Sequence, residues 1–413
     1  MRQFDVVIVG AGLAGSMSAS MIARAGHSVA IVDPNEVYPD EFRCEKIDFG
    51  QIEVLHRAGI GDAILTAATH DKSAWVTRLG RLVEKRPSDQ LGIDYGRLVN
   101  TVRAQIPEEA VFIRGKVTGV ENSEDLQRVT LASGESLAAR LVIMASGLSN
   151  SLRQSLGMDR KDLSLCHSVT YGFDVEPEAG GSFPFRALSH YGEHPRFRVA
   201  YLTLFPIGSR LRANLFVYRD LGDPWLRAFR AAPEETLKAA LPRLESITGP
   251  LRVIGPVKMR PIDLYETSGY RQPGVVLVGD AFATACPAAG TGARKAIVDA
   301  ERLCNGFVAQ WLATPGMGAE KISEFYDDVV KSGSDRKSQA LAWRMKAMAL
   351  DESAAWWLRR WASVGVGLAR WASYALRSIR VDGVKPARET VRDRTQEAPS
   401  ELKDQAISAA GQI

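Results

Sequence analysis

The sequence predicts a mixed α/β (α+β) chain, in which a parallel-sheet domain is split in sequence by an inserted antiparallel β-sheet and followed by a C-terminal helical segment. Three patterns predict this class: a βαβ unit at the start of the chain, a strand and helix near residue 280, and alternating strands between them. With 413 residues, 46% hydrophobic and 24% charged, the chain can bury a large core and is longer than one core usually organises. Two or three packed units are therefore expected, and wholesale disorder is excluded.

The N-terminal unit runs from Asp5 to Asp33 as a buried strand, a glycine turn, a helix of small residues and a second strand. The turn has GxGxxG spacing. Its first glycine permits a tight turn, its second lets the backbone approach a pyrophosphate, and its third lets helix and strand pack closely. A carboxylate at the tip of the second strand can accept hydrogen bonds from ribose hydroxyls. The pattern predicts a Rossmann-like site for an adenine dinucleotide, formed by Gly10, Gly12, Ala14, Gly15 and Asp33.

A second pattern indicates where the remainder of the cofactor binds. A strand over residues 275–278 leads into Gly279 and Asp280, and a loop containing Pro287 follows. The next helix begins at the sequence Gly-Thr-Gly, residues 290–292. The positive end of a helix dipole at this point favours an anionic group nearby.

On these motifs, roughly residues 4–330 resemble the flavoprotein hydroxylases of the para-hydroxybenzoate hydroxylase fold, the group A flavoprotein hydroxylases. That family carries a Gly-Asp motif, a following proline and a glycine-rich helix start, so the resemblance implies FAD. It implies that Asp280 binds the ribityl chain and that Pro287 lies beside the isoalloxazine. It also implies that the backbone of three residues approaches the pyrimidine end of the flavin: Gly290, Thr291 and Gly292.

The same resemblance extends to two arginines. Arg43, in residues 36–61, matches an arginine that this family places near the cofactor. Arg97 lies at the start of a helix where related flavoproteins often have another cofactor-contacting arginine. Both are therefore expected to contact FAD.

One departure from the family concerns the reductant. Many hydroxylases of this fold carry Asp-Gly after the strand that ends near residue 144, a motif tied to FAD and NAD(P)H contacts, whereas this chain has Ser146 and Gly147. Two routes therefore stay open: reduction by NAD(P)H at this protein, or supply of reduced flavin by a separate reductase. Flavin-dependent halogenases show a similar Ala-Ser-Gly sequence, but the WxWxIP motif that they carry is absent from this chain.

The middle region, residues 164–268, alternates like an antiparallel sheet and is expected to bind the substrate. Within it, residues 201–206 read YLTLFP and partly resemble the YxWxFP strand of geranylgeranyl reductases, with Thr203 in place of the tryptophan. No catalytic acid or base is identified by the sequence. Four residues in or near this sheet could deprotonate a phenol, although each has a structural alternative: His167, His190, Tyr201 and Tyr218.

The C-terminal segment is basic. Residues 331–380 hold ten Lys/Arg and three Asp/Glu, although the net charge of the whole chain is only +4. Residues 356–380 predict an amphipathic helix with one apolar stripe: Trp357, Trp361, Val364, Leu368, Trp371 and Ala375. Two partners stay open for this helix, namely protein (the chain itself or a dimer partner) and a membrane surface.

The expected domains are an FAD-binding domain in two parts (1–163 and 269–330), the substrate sheet (164–268), the amphipathic segment (331–380) and a flexible tail (381–413). Four scattered cysteines predict neither a disulfide framework nor a zinc site. No secretory signal is recognisable, so a cytoplasmic protein is expected, with association with the cytoplasmic face of a membrane left open. The body of the chain is not basic, so no nucleic-acid partner is expected.

Together these expectations describe an FAD-dependent monooxygenase. The resemblance implies that reduced FAD reacts with molecular oxygen and that a flavin hydroperoxide transfers one oxygen atom to an aromatic, quinol-like or lipophilic substrate. NAD(P)H is the expected reductant. Two alternatives stay open: an FAD-dependent reductase or desaturase of an isoprenoid or other lipid, and a non-catalytic flavin redox sensor.

Overall fold

A computed structural model describes residues 1–43 and 45–382 of the chain. These residues form two seven-stranded sheets, one three-stranded sheet and the helices between and around them. The predicted mixed α/β class with an antiparallel insert is confirmed. The predicted flexible tail, 381–413, lies outside the described residues except for its first two positions, which end the last helix.

The strands follow from runs of β-branched and aromatic residues bounded by glycine, proline or polar turns. In chain order they are β1 (Arg2–Val9), β2 (Val29–Asp33), β3 (Lys46–Asp48), β4 (Thr69–His70), β5 (Ser73–Arg78), β6 (Arg81–Pro87), β7 (Gln90–Gly92), β8 (Val111–Arg114), β9 (Val117–Glu121), β10 (Gln127–Leu131), β11 (Ser136–Met144), β12 (Asp159–Pro177), β13 (Ala187–Tyr191), β14 (Val199–Ile207), β15 (Arg210–Val217), β16 (Leu251–Ser268) and β17 (Val275–Leu277).

The helices are α1 (Leu13–Arg24), α2 (Phe49–Arg57), α3 (Gly61–Ala67), α4 (Tyr95–Arg103), α5 (Ser151–Ser155), α6 (Pro224–Ala231), α7 (Pro233–Ala240), α8 (Glu245–Thr248), α9 (Gly292–Leu303), α10 (Ala309–Ala313), α11 (Ala319–Asp327), α12 (Val329–Leu350) and α13 (Ala354–Asp382). Short 3-10 turns span Pro195–Phe197, Gly279–Ala281 and Pro287–Ala289, and a π-turn spans Cys304–Val308.

The first sheet has the spatial order β8-β2-β1-β11-β10-β9, with β17 also paired to β11. Strands β8, β2, β1, β11 and β17 run parallel, whereas β10 is antiparallel to both of its neighbours. The central strands are apolar on both faces because helices cover them, and Val6, Val7, Ile8, Val142 and Ile143 have no exposed surface. The carboxyl ends of β1, β2, β11 and β17 therefore meet at one edge of the sheet.

The second sheet has the order β16-β12-β15-β14-β13-β5-β6. Most of its strands fall within residues 164–268, as the alternation predicted. However, β12 begins at residue 159, and β5 and β6 come from residues 73–87, far upstream of the predicted insert. They join because β5 pairs in parallel with β13, a contact between distant segments that local alternation cannot reveal. The domain boundaries given above stay a prediction.

Helix α13 packs on β6 and β5 of the second sheet. Among the described side chains of α13, Trp356, Arg360 and Val364 are buried, whereas Trp357, Trp361 and Leu368 of the predicted apolar stripe are exposed. Within the predicted stripe, Val364 therefore packs on the protein while these three side chains stay largely exposed. The contact is placed by Gly367, because a Cβ there would lie 3.0 Å from Val83 Cγ2. None of the described helices is long and apolar enough to cross a bilayer.

Two glycines of α13 allow a matched test of this packing. Gly365→Leu should raise the thermal stability, since its Cβ meets nothing within 4 Å and leucine is favoured over glycine in a helix by up to about 1 kcal/mol. Gly367→Leu should instead loosen α13, because β6 lies against it. Hydrogen exchange over residues 354–374 measures the difference, and equal protection in the two variants would contradict the packing.

Candidate cofactor and substrate site

Three loops meet at the carboxyl edge of the first sheet. They follow β1 (residues 10–12), β11 (residues 145–147) and the last strand, β17 (residues 278–281). The chain order places β2 on one side of β1 and β11 on the other, so this edge is a switch point of the sheet. In open α/β sheets, ligands bind in the crevice at such a point.

The turn after β1 requires glycine at two of its three predicted positions. Gly10 has φ +98°, and a Cβ on it would lie 2.6 Å from Ala145 O. A Cβ on Gly15 would lie 1.9 Å from Gly10 O, so α1 can approach the turn only without one. Ala14 is buried beside them, with its Cβ 3.7 Å from the position of a Cβ on Gly279. These contacts hold the start of α1 against the loops after β11 and β17.

Gly12 differs from its neighbours because it faces open space. A Cβ on Gly12 would meet nothing within 4 Å. Gly12 is also the N-cap residue of α1, and no side chain caps this helix end. Backbone N–H groups at the start of α1 are therefore available to an anion such as a pyrophosphate.

Asp33 lies at the end of β2 and is almost fully buried. Its carboxylate accepts hydrogen bonds from the backbone N–H of Ala11 (2.8 Å) and of Asn35 (2.9 Å). The Asp33 side chain thus joins the glycine turn to the end of β2. Asp33 lies at the strand tip, as predicted, and its contact with a ribose stays a prediction.

Arg103, at the end of α4, was missed by sequence reasoning. Its Nη2 lies 3.5 Å from Asp33 Oδ1, and its Nε donates to Ala11 O at 2.8 Å. Nη1 donates to Glu36 O at 2.9 Å. The signal for this residue was weak: an arginine in the last turn of a helix, just after the apolar stripe of α4 that packs on α1.

Arg43 lies across the same edge of the sheet. Its Nη1 is 3.1 Å from Asp280 Oδ2 and its Nε is 2.9 Å from Glu41 Oε1. Burial disfavours the charge of Arg43, but the nearby carboxylates outweigh burial and hold the pKa of its guanidinium above the ordinary value. Its Nη2 comes within 4.0 Å of the position of a Cβ on Gly147. Arg43 therefore connects the loops after β11 and β17 with a permanent positive charge.

The backbone of the Gly-Asp turn is fixed by hydrogen bonds to buried side chains. Gly279 has φ +61°, and its N–H donates to Asp299 Oδ2 at 2.8 Å. The Tyr265 hydroxyl donates to Asp280 O at 2.6 Å, and the fully buried Arg153 donates to Ala281 O. With the backbone held in this way, the Asp280 side chain is left to face Arg43.

The loop after the Gly-Asp turn contains the predicted flavin-contacting residues. Pro287 begins a 3-10 turn, and Gly290 ends it with φ +67° and no atom within 4 Å of a Cβ position. Thr291 is the N-cap of α9, and its hydroxyl lies 2.6 Å from the Ser338 hydroxyl of α12 rather than on its own helix end. The N–H groups at the start of α9, at Gly292 and beyond, are therefore not capped by a side chain.

The structure places Arg97 apart from these groups. Its side chain is exposed on α4, where it lines a surface pocket with Tyr38, Asp94, Asn100 and Arg210. No hydrogen bond or ion pair joins Arg97 to Arg43 or Asp280. Its contact with the cofactor stays a prediction.

A group of polar side chains lies beside the Pro287 turn, inside an apolar cluster of the second sheet and α12. The Tyr201 hydroxyl donates to Ala288 O at 2.8 Å, and Cys286 Sγ lies 3.4 Å from Ser168 Oγ. The Tyr218 hydroxyl is buried beside the Cys286 thiol, a weak hydrogen-bonding group, and makes no well-aligned hydrogen bond. A substrate oxygen would be a stronger partner.

His167 belongs to the same region. Its ring meets the edges of Tyr218 and Trp343, and Nε2 lies 3.3 Å from Ala342 O while Nδ1 has no partner. Burial, with the positive charge of Lys346, lowers the pKa of His167 to about 4. His167 is therefore neutral at pH 7 and a weak base.

Three of the four predicted acid–base candidates thus come together, and His190 does not. It lies between β13 and β5, where Nδ1 is 2.8 Å from the Thr77 hydroxyl and Nε2 is 3.2 Å from Glu193. This arrangement is a structural link between two strands. Over the two described ranges, no group of three or more His, Cys, Asp or Glu side chains could hold a metal ion.

The residues at the sheet edge fit a dinucleotide. Gly12 leaves space at an uncapped helix end, and the buried Ser146 hydroxyl beside it has no hydrogen-bond partner. Residues 3–314 match the family described as the FAD binding domain. The chain belongs to this family. FAD as the cofactor, and an FAD-dependent oxidoreductase as the class of enzyme, are confirmed.

Relatives of this FAD-binding protein include two that span most of its length. The 3-demethoxyubiquinol 3-hydroxylase of Escherichia coli (strain K12) is 24% identical over 361 residues, covering 80% of this chain and 88% of that enzyme. Digeranylgeranylglycerophospholipid reductase 2 of Methanopyrus kandleri (strain AV19) is 27% identical over 359 residues, covering 79% and 82%. The predicted resemblance to flavoprotein hydroxylases, with partial similarity to geranylgeranyl reductases, is confirmed.

The fold is also similar to solved structures. The crystal structure of p-nitrophenol 4-monooxygenase from Pseudomonas putida DLL-E4 aligns with a TM-score of 0.72 at 17% identity, covering 94% of this chain and 100% of that one. This likeness supports the arrangement of the sheets.

The open space at Gly12 leads to a test that separates cofactor binding from folding. Gly12→Val should leave the apoprotein as stable as the parent but weaken FAD binding at least about tenfold, because the side chain takes the place of the phosphates. Gly222→Val is the control, since a Cβ there also meets nothing within 4 Å and the residue lies between β15 and α6, away from the glycine turn. Fluorescence titration of apoprotein with FAD measures both, and equal affinities would contradict the site.

Proposed function

We propose that this protein is an FAD-dependent monooxygenase that inserts one atom of molecular oxygen into an aromatic, quinol-like or otherwise lipophilic substrate. The observation that carries the proposal is the Tyr218 hydroxyl, which is buried without a well-aligned hydrogen bond in an apolar cluster beside the Pro287 turn. An apolar site with few free polar groups, here the Tyr218 hydroxyl and Nδ1 of His167, suits a substrate that has a carbon skeleton to bury and an oxygen to orient.

The residues of the chain divide the work between cofactor and substrate. The glycine turn and Asp33 would bind the dinucleotide part of FAD. The ion pair between Arg43 and Asp280 would lie beside the cofactor at the Gly-Asp turn. Reduced FAD supplies the reaction with oxygen when it is bound. The second sheet and α12 supply an apolar cluster against which the substrate would pack, and this would keep water from the reacting groups.

Tyr218 would act as a hydrogen-bond donor. Burial raises the pKa of its hydroxyl well above the ordinary value, so it stays protonated at any physiological pH. The neighbouring His167, with a lowered pKa, is too weak a base to deprotonate a phenol. We infer that Tyr218 orients the substrate oxygen and that the substrate enters in the protonation state it has in solution.

NAD(P)H is the reductant that we propose, and reduction by a separate flavin reductase is the alternative. Ser146 stands where many hydroxylases of this fold carry aspartate, so this loop lacks one carboxylate. Anaerobic stopped-flow absorbance of the bound flavin after mixing with NADPH or with NADH separates the two routes. Reduction by either nucleotide supports NAD(P)H as the reductant, and a flavin that neither nucleotide reduces favours the separate reductase.

A second candidate is the reduction or desaturation of an isoprenoid or other lipid. Two observations favour it: the partial YxWxFP resemblance of β14, whose Tyr201 contacts the Pro287 turn, and the 27% identity to a digeranylgeranylglycerophospholipid reductase. The chemistry differs in its need for oxygen, because an alkene reductase works anaerobically.

Oxygen consumption tests the monooxygenase. With NADPH and a panel of phenols and quinols, at least one compound should stimulate oxygen uptake and give a hydroxylated product.

Tyr218→Phe should lower kcat/KM for that compound by about ten- to a hundredfold, the range for losing one hydrogen bond to substrate, while FAD binding is retained. Tyr171→Phe is the control, because Tyr171 is a buried tyrosine of β12 whose hydroxyl donates to Leu226 O in α6, away from the Pro287 turn. Anaerobic alkene reduction without any oxygen-dependent product would support the reductase instead.

We also propose that α13 attaches the protein to the cytoplasmic face of a membrane. With one face packed on β6, the helix still exposes Trp357, Leu358, Trp361 and Leu368 on a neighbouring face. Arg359 is exposed on the opposite side of α13 from Trp357 and Trp361, within a segment that holds ten basic and three acidic residues. A helix with exposed tryptophans on one face and basic groups on the other suits the headgroup region of an anionic bilayer.

Sedimentation with vesicles tests the attachment. The intact protein should sediment with phosphatidylglycerol vesicles, and Trp361→Ser combined with Leu368→Ser should lower partitioning at least about tenfold, because about 0.8 kcal/mol is lost per CH₂ no longer buried. Leu221→Ser, at an equally exposed leucine outside α13, should change nothing. If the intact protein does not sediment, and the double variant converts a dimer to a monomer, the surface is a dimer contact.

A further inference from the structure

Arg360, on the packed face of α13, carries a buried charge without an acidic partner. The residue is only 5% exposed. Its Nη2 donates to Met348 O at 3.1 Å, its Nε has no hydrogen-bond partner, and its guanidinium lies 5.0 Å from the centre of the Trp356 ring. Among the described residues, no carboxylate lies within ion-pair distance of it.

The two other buried arginines among the described residues have more partners, although the Nε of each likewise makes no hydrogen bond. Arg212 faces two carboxylates, at 3.4 Å from Glu45 and 3.2 Å from Asp174. Arg153 has no carboxylate but donates to Thr267, to Ala281 O and to Tyr265. Arg360 has one acceptor. A guanidinium removed from water without a counter-charge is costly, so this position calls for an anion that the chain does not itself provide.

Arg78, at the end of β5, is a second guanidinium in the same place. It is half-buried, stacks 4.3 Å over the Tyr191 ring, and has no ion pair. Burial, together with the positive charge of Arg78, lowers the pKa of Arg360 to about 10. Arg78 lies on the Tyr191 ring and Arg360 on the Trp356 ring, and Tyr191 packs against the cluster that contains Trp356. Two like charges thus lie in one region between α13 and β5, and the half-buried Arg78 and Tyr191 leave this region in contact with solvent.

Aromatic rings connect this place to the cofactor loop. The Tyr191 ring lies 5.6 Å from the Tyr201 ring, and the Tyr201 ring lies 4.6 Å from Phe216. The Tyr201 hydroxyl in turn donates to Ala288 O in the Pro287 turn. The two arginines thus stand at the outer end of a row of rings whose inner end touches the candidate flavin site.

We propose that Arg360 and Arg78 form a binding site for an oxyanion, a carboxylate or phosphate group, between α13 and the end of β5. Guanidinium groups bind such anions through paired N–H donors, which a lysine cannot present. The oxyanion belongs to the polar end of an amphiphile, either a substrate whose apolar part follows Tyr191 and Tyr201 or a membrane lipid beneath α13. The identity of the occupant rests on the proposed function, whereas binding of the probes is measured without turnover, so the site and the proposed function can fail separately.

Calorimetric titration of the FAD-loaded protein tests the site with three probes: inorganic phosphate, dodecyl phosphate and phosphatidylglycerol vesicles. We expect binding of dodecyl phosphate that Arg360→Gln and Arg78→Gln each weaken at least about tenfold, the loss of one charge-assisted contact. Arg86→Gln, on the exposed side of β6, should bind like the parent. Phosphate bound as tightly as dodecyl phosphate identifies a site for the free ion, and vesicle binding that falls in the same variants identifies a lipid headgroup.

Melting temperatures with and without dodecyl phosphate test the site even if one of the variants folds poorly. Arg360→Met removes the charge and keeps much of the volume, so without a probe its melting temperature should equal or exceed that of the parent. The parent alone should gain stability when dodecyl phosphate is added. Because Arg78 is half-buried, Arg78→Gln should fold in any case. The absence of binding by every probe, or affinity in Arg78→Gln equal to that of the parent, overturns the site.

Discussion

The contact between Gly15 and Gly10 is the constraint on which the rest of the site depends. With no Cβ between them, α1 begins directly against the turn after β1, and the same turn lies against Ala145 of the neighbouring loop. Ala14 then touches Gly279, which brings in a segment of the chain from beyond the inserted sheet. Three distant segments therefore share one edge because two side chains are missing, and the start of α1, which no side chain caps, lies among them.

Ion pairs stabilise the same edge of the sheet. Arg103 neutralises Asp33 at the end of β2, and Arg43 neutralises Asp280 at the Gly-Asp turn. Glu41 stays ionised beside Arg43: burial opposes its charge, but hydrogen bonds from Tyr38 and Arg260 and the charge of Arg43 lower its pKa to about 2. Ion pairs thus fix both ends of the crevice, and the uncapped starts of α1 and α9 remain as the positive groups that would bind the phosphates of a dinucleotide and the negative flavin of reduced FAD. The second sheet contributes the opposite environment, an apolar cluster with few polar groups.

Local patterns were sufficient for the features that are local. The glycine spacing, Asp33, the Gly-Asp turn, the strands of the first sheet and β12, β14 and β15 of the second each have a signature within a few residues, and the structure places them as expected. Arg103 could not be recognised because its partners lie more than sixty residues away in sequence. The recruitment of β5 and β6 depends on pairing with β13, and the buried face of α13 depends on Gly367 meeting Val83. Periodicity showed that α13 is amphipathic, but not which of its faces packs on protein and which stays exposed.

Hydrogen exchange with and without FAD tests the central claim most directly, because it reports where on the chain the cofactor binds. FAD should slow exchange of the backbone amides in residues 10–15, 145–148 and 279–293, with smaller changes in β13, β5 and β6. The three segments should respond together, since they form one crevice. Tight binding of FAD without protection of the glycine turn and the Gly-Asp turn would contradict the account.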